Sequence, residues 1–563
     1  MSLRHLQIDN YRGIKSLEWN IKSPVCCLLG PGDSCKSTIL EAVRLALLPN
    51  WNYAFSDSDF WQCDTEAPIS IKATIGNIPD HLITERRFGL FLRGWNSDER
   101  LADEPNDQLE PVLTIELSID KTFEPQWRVV TDRQPEGKPI TAAQRASIGM
   151  LLLSPHFNQN FTWGKNAILS KLTDNHSNDL PGLFAAARRS VKDSIATDDL
   201  KELQEVSDIV SNAAPTFGVH PKNGFTPKID LKSVTINTGA ISLHDGQVPA
   251  RNLGSGTQKL INLAMFHEAF QDTGILAIDE IETGLEPHRI RQLIAHLMTK
   301  ENGTLLMTTH SPIALKELDC PHLHIVRETD GNVTVKNIGA SARRVIRATP
   351  EAFLANKILV CEGKTEIGIL RACNNHWQEE GLPSLWSTGI ELVDGGGETT
   401  LRRANTFINA GYSVCCFIDS DKLDEQANTI DQLARKGVNF IHWDGRQSSD
   451  EVIINCVSKD ALGQIMEVVA EERSVMSLKS SLESHESIEQ GTLGDDPRNW
   501  INDCDVETLR EVAALRAKSN NKPWFKRVDL AEEVSTVFLN EIDDIADSDL
   551  AIKVGLIKDW IHG

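Results

Sequence analysis

The sequence predicts an α/β fold, and three observations lead there. Short apolar runs of strand type alternate with segments of helical period. One such run, VCCLLG at 25–30, feeds a glycine-rich loop and then a helix with an apolar stripe. A second strand–helix series opens at KILVCEG, residues 357–363. Alternation of this kind implies parallel sheets whose crossovers are helices.

The elements follow in order. The first thirty residues read as strand, turn, strand, strand, ending in the buried run VCCLLG. In ILEAVRLALL, Ile39, Val43 and Leu47 recur at i, i+4, i+8, the buried face of a helix. Ile69, Ile71, Ala73 and Ile75 alternate, as do Leu113, Ile115, Leu117 and Ile119, so both segments are half-exposed antiparallel strands. From 141 to 213 the period turns helical with charged faces, and strand signals return at 229–243. Then come the strand GILAIDE, a helix near 288–299, the strand TLLMTTH and closing strands near 323–337. The second series runs through a helix at 364–378, strand IELVD, a helix at 399–410, strand SVCCFIDSD, another helix, strand VNFIHWD and a helical, acidic tail. The tract 483–505 is polar and reads as a surface loop. The boundary between the series falls at 340–356, around the basic stretch ARRVIRATP.

Composition narrows the classes of function. The 563 residues carry 57 Lys+Arg against 80 Asp+Glu, a net charge of −23. Nucleic acid is therefore not bound over the whole surface, and any contact needs a local basic patch or metal ions. No window approaches a membrane-spanning apolar run, and the N-terminus lacks a signal-peptide core. The eleven Cys contain no CxxC spacing, which predicts reduced thiols in the cytoplasm without structural zinc.

Two constellations carry chemistry. The first is Gly30-Pro-Gly32-Asp-Ser-Cys35-Lys36-Ser37-Thr38, between a strand and a helix. Backbone N–H groups and the helix N-terminus there hold phosphates, Lys36 reaches the terminal ones and Ser37 ligates Mg²⁺. Cys35 stands where glycine normally precedes the Lys, placing a Cβ where backbone and phosphate meet. Asp279-Glu280 follow the strand ILAI, the pattern in which Asp binds Mg²⁺ and Glu polarises the attacking water. LGSGTQ (253–258) precedes these acids and a strand ending at His310 follows them. Together these resemble the ABC-type ATPase head of structural-maintenance and recombination-repair ATPases, across about 1–345. The resemblance makes Ser255-Gly256 the signature that contacts the nucleotide of a second head, the loop Glu282–Leu285 the segment after the catalytic acids, and His310 the switch histidine. It also implies ATP as ligand and a dimer at least, with 141–213 as an inserted helical segment suited to dimerisation.

The second constellation is four carboxylates. Glu362 ends a strand, Glu366 lies one turn later, and Asp419 and Asp421 end another strand. Strand C-terminal ends form the ligand crevice of a parallel sheet, and clustered carboxylates are satisfied by Mg²⁺ or Mn²⁺. This resembles the Toprim domain over about 355–460. Glu362 matches its acid, Asp419 and Asp421 its DxD, Asp394-Gly-Gly-Gly its strand-end loop, and Glu451 a further metal ligand of Toprim nucleases.

An ABC head followed by a Toprim domain is similar to the OLD (overcoming lysogenization defect) family. That family includes the Gabija nuclease and retron-associated effectors. The resemblance covers nearly the whole chain, with 461–563 as a helical extension. It implies an ATP-regulated, divalent-metal-dependent DNA endonuclease of anti-phage defence, using two metals and acting with DNA, its own copies and a defence partner protein or nucleic acid. It also implies a Lys near the scissile phosphate, matched by Lys526 with Lys522 second. A topoisomerase would need a tyrosine nucleophile, and Tyr11, Tyr53 and Tyr412 are poorly placed. A primase would need a template-binding module. The remaining alternative is an ATP-switched repair or sensor scaffold with an inactive Toprim domain.

Overall fold

The computed structural model describes residues 1–49, 53–96, 101–154, 242–270, 274–299, 303–518 and 523–563, with isolated residues at 161, 168–169, 172 and 204. The chain runs through β1 (Ser2–Tyr11), β2 (Ile14–Asn20), β3 (Val25–Leu29), α1 (Lys36–Ala46), β4 (Ile69–Gly76), β5 (Arg93–Trp95), β6 (Glu110–Ile119), β7 (Gln126–Thr131) and β8 (Gln134–Pro139). Then follow α2 (Ala142–Ala146), β9 (Met150–Leu153), β10 (His244–Asp245), β11 (Val248–Pro249), α3 (Ser255–Phe270), β12 (Ile275–Ile278), α4 (Pro287–Leu297) and β13 (Thr304–Thr308). Next are α5 (Pro312–Glu317), β14 (Leu323–Thr329), β15 (Asn332–Asn337), α6 (Arg343–Ala348), β16 (Lys357–Cys361), α7 (Lys364–Glu379), β17 (Ile390–Asp394), α8 (Thr400–Asn409), β18 (Ser413–Ile418), α9 (Leu423–Arg435) and β19 (Asn439–His442). The C-terminal part is helical: α10 (Ser449–Cys456), α11 (Lys459–Arg473), α12 (Val475–Glu483), α13 (Trp500–Asp503), α14 (Val506–Ala517), α15 (Val528–Leu539) and α16 (Asp549–His562).

Two compact units result, one of Met1–Val25 and Ser37–Met307, the other of Cys26–Lys36 and Thr308–Gly563. In the first, β1 pairs antiparallel with β2 and β4, β4 with β6, and β6 with β5 and β7. The alternation at 69–75 and 113–119 sets their register, with Ile71 opposite Leu117 and Ala73 opposite Ile115. A parallel set, β9–β12–β13, carries the four apolar residues before Asp279. The segment expected to be helical over 141–213 is interrupted by a strand among its described residues. Only α2 is helical near its start, and the run MLLL is β9, parallel to β12 because it is apolar on both faces. Apart from the isolated residues at 161, 168–169, 172 and 204, the remainder of that segment and the strand signals at 229–241 lie outside the described residues.

In the second unit, β3 pairs parallel with β14, which pairs antiparallel with β15. A four-stranded parallel sheet has the order β17–β16–β18–β19. Helices α7 and α10–α16 share one continuous core with it, including Leu359, Phe417, Met466, Leu509, Phe538 and Ile557. The tract 483–505, expected as a surface loop, is a loop as far as 496, but it is not confined to the surface. Leu493, Trp500 and Ile501 are buried in that core, and Trp500 donates its indole N–H to Gly494 O at 2.9 Å. Few but large apolar anchors hold an otherwise polar tract. Among the described residues no helix is long and apolar enough to cross a membrane.

Candidate functional site

The phosphate-loop sequence adopts a loop between β3 and α1. Gly30 has φ +142°, and a Cβ there would meet Val326 O at 2.6 Å, so only glycine fits. Gly32 is exposed with open space around it. Buried Lys36 donates to Gly30 O at 3.0 Å, Pro31 O at 2.6 Å and Ser34 Oγ at 3.1 Å, so its ammonium gathers the loop. Cys35 stands at φ +66°, the left-handed region that glycine tolerates and a β-carbon does not. Thr38 is half-buried one residue after Ser37.

At the start of α1, Ser37 donates its hydroxyl to Asp279 Oδ1 at 2.9 Å. The two residues expected to ligate Mg²⁺ are thus neighbours, although 242 positions apart. Glu280 follows at φ +48°, and Thr283 Oγ1 donates to its Oε2 at 2.8 Å. Ser255, the expected signature residue, is exposed at the first position of α3. Gly256 lies against the loop after the acids, since a Cβ would meet Gly284 O at 2.0 Å. His310 is exposed just beyond β13.

Lys259 of α3 escaped the sequence reading. Its Nζ donates to Glu280 O at 2.6 Å, and burial lowers its pKa to about 8 despite Glu282, Glu280 and Asp279 nearby. The unfolded chain then holds more protons than the folded one between that value and the ordinary lysine value. Native stability accordingly gains with rising pH across this window. We expect the thermal midpoint of the native protein, compared with Lys259→Met from pH 7.5 to 9.5, to gain on the variant as pH rises. Parallel curves would show that Lys259 keeps an ordinary pKa.

The carboxylates assemble at the C-terminal ends of the parallel strands. Glu362 follows β16 and accepts the Asp419 N–H at 2.9 Å through Oε2. Glu366 caps its own helix, accepting the Gly363 N–H at 2.7 Å, and accepts the Ser449 hydroxyl at 2.5 Å. Expected to face one point with Glu362, it is buried and close enough for the two charges to repel. Asp419 accepts the Ser449 N–H at 2.8 Å and lies 2.9 Å from the same hydroxyl. Glu451 accepts from Ser448 and from Lys518 Nζ, both at 2.9 Å, and Lys518 also stands 4.0 Å from exposed Asp421. Asp394 caps its own loop by accepting the Gly396 N–H at 2.8 Å. A Cβ on Gly395 would meet Cys361 O at 2.5 Å, which explains the glycine after that acid.

Electrostatics set this cluster apart. Burial, then Glu366 and Glu362, push Asp419 well up from its ordinary value. Burial raises Glu362 and Glu366 as well. Asp450, not expected, is buried with Oδ1 unpartnered among the described residues; burial and then Glu366 push it to about 7. Exposed Lys526 draws Glu362 and Asp450 downward against the larger effect of burial. Its segment is tied to α7, with Thr365 Oγ1 donating to Phe525 O at 3.2 Å. Lys522 lies outside the described residues. Lys518, which does reach the acids, carried no sequence signal.

Among the described residues no three His, Cys, Asp or Glu side chains stand as ligands around one point. Both oxygens of Glu366, Oε2 of Glu362 and Oδ1 of Asp419 accept from protein donors. The donor set nevertheless suits hard divalent cations, being all oxygen and raised in pKa by crowding and burial. Tyr11 and Tyr412 give no nucleophile, since both are buried and Tyr412 donates to Phe353 O at 2.7 Å.

A strand–loop–helix carrying Lys36, with Ser37 hydrogen-bonded to the acid ending a parallel strand, defines an ATPase domain whose ligand is ATP. The chain belongs to the family described as "AAA domain, putative AbiEii toxin, Type IV TA system", which matches residues 25–316, more than half its length. No curated protein matches the sequence significantly. Similar solved structures include the Smc head bound to the C-winged helix domain of ScpA, at 11% identity and TM-score 0.35, over 60% of this chain and 97% of that one. The SMC head domain from Thermotoga maritima aligns at 11% identity and TM-score 0.29, over 60% and 100% of the two chains. The recombination mediator RecF bound to ATPrS aligns at 14% identity and TM-score 0.33, over 59% and 97%.

Proposed function

We propose that the chain is an ATP-governed, divalent-metal-dependent DNA endonuclease of the OLD type. Its ATPase part would span 1–345, a Toprim core 355–460 and a helical extension 461–563, and it would act in the cytoplasm in anti-phage defence. The observation that carries this reading is Glu362 hydrogen-bonded to Asp419 at the C-terminal ends of β16 and β18, with Asp421 two residues on and joined through Lys518 to Glu451 at the start of α10. Glu362, Glu366 and Asp419, raised by burial and by neighbouring acids, are costly to ionise together unless cations join them.

Glu362, Asp419 and Asp421 would hold Mg²⁺ or Mn²⁺, with Glu451 completing a second position. Bound cations supply Lewis acidity at the attacking water and at the leaving 3′ oxygen. The chain's own groups position that chemistry. Ser449 orients Asp419, Asp450 can hold a proton near neutrality, and Lys518 and Lys526 offer positive charge to a scissile phosphate. Glu366 then acts by orienting Ser449 from behind. Regulation by ATP has physical support within one unit, because α5, directly after His310, packs on α6 ahead of the nuclease sheet. The test of the reading is nicking of supercoiled plasmid with Mg²⁺ or Mn²⁺, which a scaffold with an inactive site does not perform.

Self-association belongs to the same proposal. Ser255 presents the start of α3 outward, a ready anion site for a nucleotide held by a second copy. We expect a dimeric or larger mass by light scattering, with ATP increasing it. A strictly monomeric mass in both conditions contradicts the assignment of Ser255 and Gly256.

A further inference from the structure

The net charge of −23 makes a local concentration of cations conspicuous, and one lies where α6 and α8 meet. Helix α6 buries Val345 and Ile346, which turns Arg343, Arg344 and Arg347 outward. Helix α8 is rooted by buried Ala404 and Phe407, and it leaves Arg402 exposed. Arg343, Arg344 and Arg402, with Ser341 and Thr406, line a pocket of about 360 Å³. Arg343 shares its charge with exposed Asp319 at 3.2 Å. The side chains of Arg344 and Arg402 have no hydrogen bond or ion pair among the described residues. Like charges gathered around a cavity repel one another, and their planar forks match phosphate oxygens.

The pocket's position indicates which phosphate. Helix α8 emerges from the loop after β17, which lies against Glu362: Gly397 N donates to the Glu362 main-chain O at 2.9 Å. Arg402 comes five residues after Gly397, so at helical rise it stands within about 8 Å along the chain. A strand laid across Glu362 and Asp419 brings neighbouring phosphates of the same backbone within this reach.

We propose that this pocket anchors a backbone phosphate of the DNA strand entering the carboxylate site. The inference rests on the nuclease reading and specifies where its substrate is held. Removing a phosphate contact should weaken binding uniformly across sequences and flatten its salt dependence. The experiment titrates a fluorescent DNA duplex in Ca²⁺ over a range of KCl, with the native full chain, Arg344→Ala/Arg402→Ala, Arg344→Glu/Arg402→Glu and Arg344→Lys/Arg402→Lys. The Ala pair should bind at least about tenfold more weakly, with a log–log salt slope smaller by about 1 to 2. The Glu pair should bind more weakly still, and the Lys pair should recover much of the loss. In nicking assays the Ala pair should raise KM and spare kcat. A native chain that binds and nicks DNA, beside Ala and Glu pairs with unchanged affinity and slope, overturns the pocket assignment alone. A native chain that neither binds nor nicks DNA overturns the nuclease reading on which it rests. Binding of inorganic phosphate or ATP that the Ala pair loses, with DNA affinity intact, overturns the choice of ligand.

Discussion

Replacing Asp419 by Asn abolishes DNA nicking and at the same time raises the thermal midpoint of the metal-free protein. The two effects have one cause. Asp419 is held among acids, and burial with Glu366 and Glu362 pushes its carboxyl far up. An acid raised on folding binds more protons in the folded chain than in the unfolded one. Native stability therefore falls as pH climbs above the ordinary carboxylate range. Asn is isosteric and can still accept the Ser449 N–H, so it removes the cost and keeps the geometry. Its advantage in EDTA should grow with pH. Cation binding reverses the comparison, because a ligand that binds only the native state stabilises it. Mn²⁺ should thus raise the midpoint of the native protein and leave the variant unmoved. For nicking, loss of a ligand that holds the Lewis acid removes several kcal/mol of transition-state stabilisation, about 10³-fold or more in rate. Glu362→Ala should match it in activity. A variant less stable in EDTA and still active would mean that Asp419 is an ordinary structural acid.

Lys36→Ala and Cys35→Gly should move nucleotide binding in opposite directions. Lys36 Nζ sits at the heart of the loop, and a charged hydrogen bond to phosphate contributes about 1.5–3 kcal/mol, so its loss weakens ATP binding by about 10- to 150-fold. Cys35 is a local fault in the same loop. Its φ of +66° costs a β-carbon about 1–2 kcal/mol, and glycine removes both that strain and the bulk facing the phosphate. ATP affinity should rise about 5- to 30-fold in Cys35→Gly, with slow turnover in the native chain becoming faster. Ser37, Asp279 and Glu280 are intact, so water activation remains available. Calorimetric titration with ATP and a phosphate-release assay read both variants. If the native protein binds no ATP and Cys35→Gly restores it, the loop is degenerate and ATP is not the signal. If native turnover is fast and Cys35→Gly changes nothing, the strain argument fails.

Much of the architecture was legible because its signals are local. Alternation set β4 and β6, apolar runs set β3, β12, β16 and β18, and strand ends announced Glu362, Asp419 and Asp279. What escaped depends on helix phase and distant packing. Glu451 stood out beside Asp450, yet on α10 the two point about 100° apart, and it is Asp450 that is buried next to Glu366. Lys518 arrives at Glu451 from 67 positions away, at the end of α14, and no spacing rule connects them. The segment of Lys526 packs on α7 through Phe525, although Lys526 itself is exposed. Polar composition hid the anchors Leu493 and Trp500 inside the tract 483–505. The strain at Cys35 was foreseen as crowding, but its backbone angle is visible only in three dimensions.

The most direct measurement is relaxation of supercoiled plasmid by native protein and Asp419→Asn, purified in parallel and assayed with Mn²⁺, with Mg²⁺ and with EDTA. The account predicts nicking by the native protein with either metal, none in EDTA, and none by the variant in any condition. Equal nicking by both proteins, or activity that survives EDTA, contradicts it.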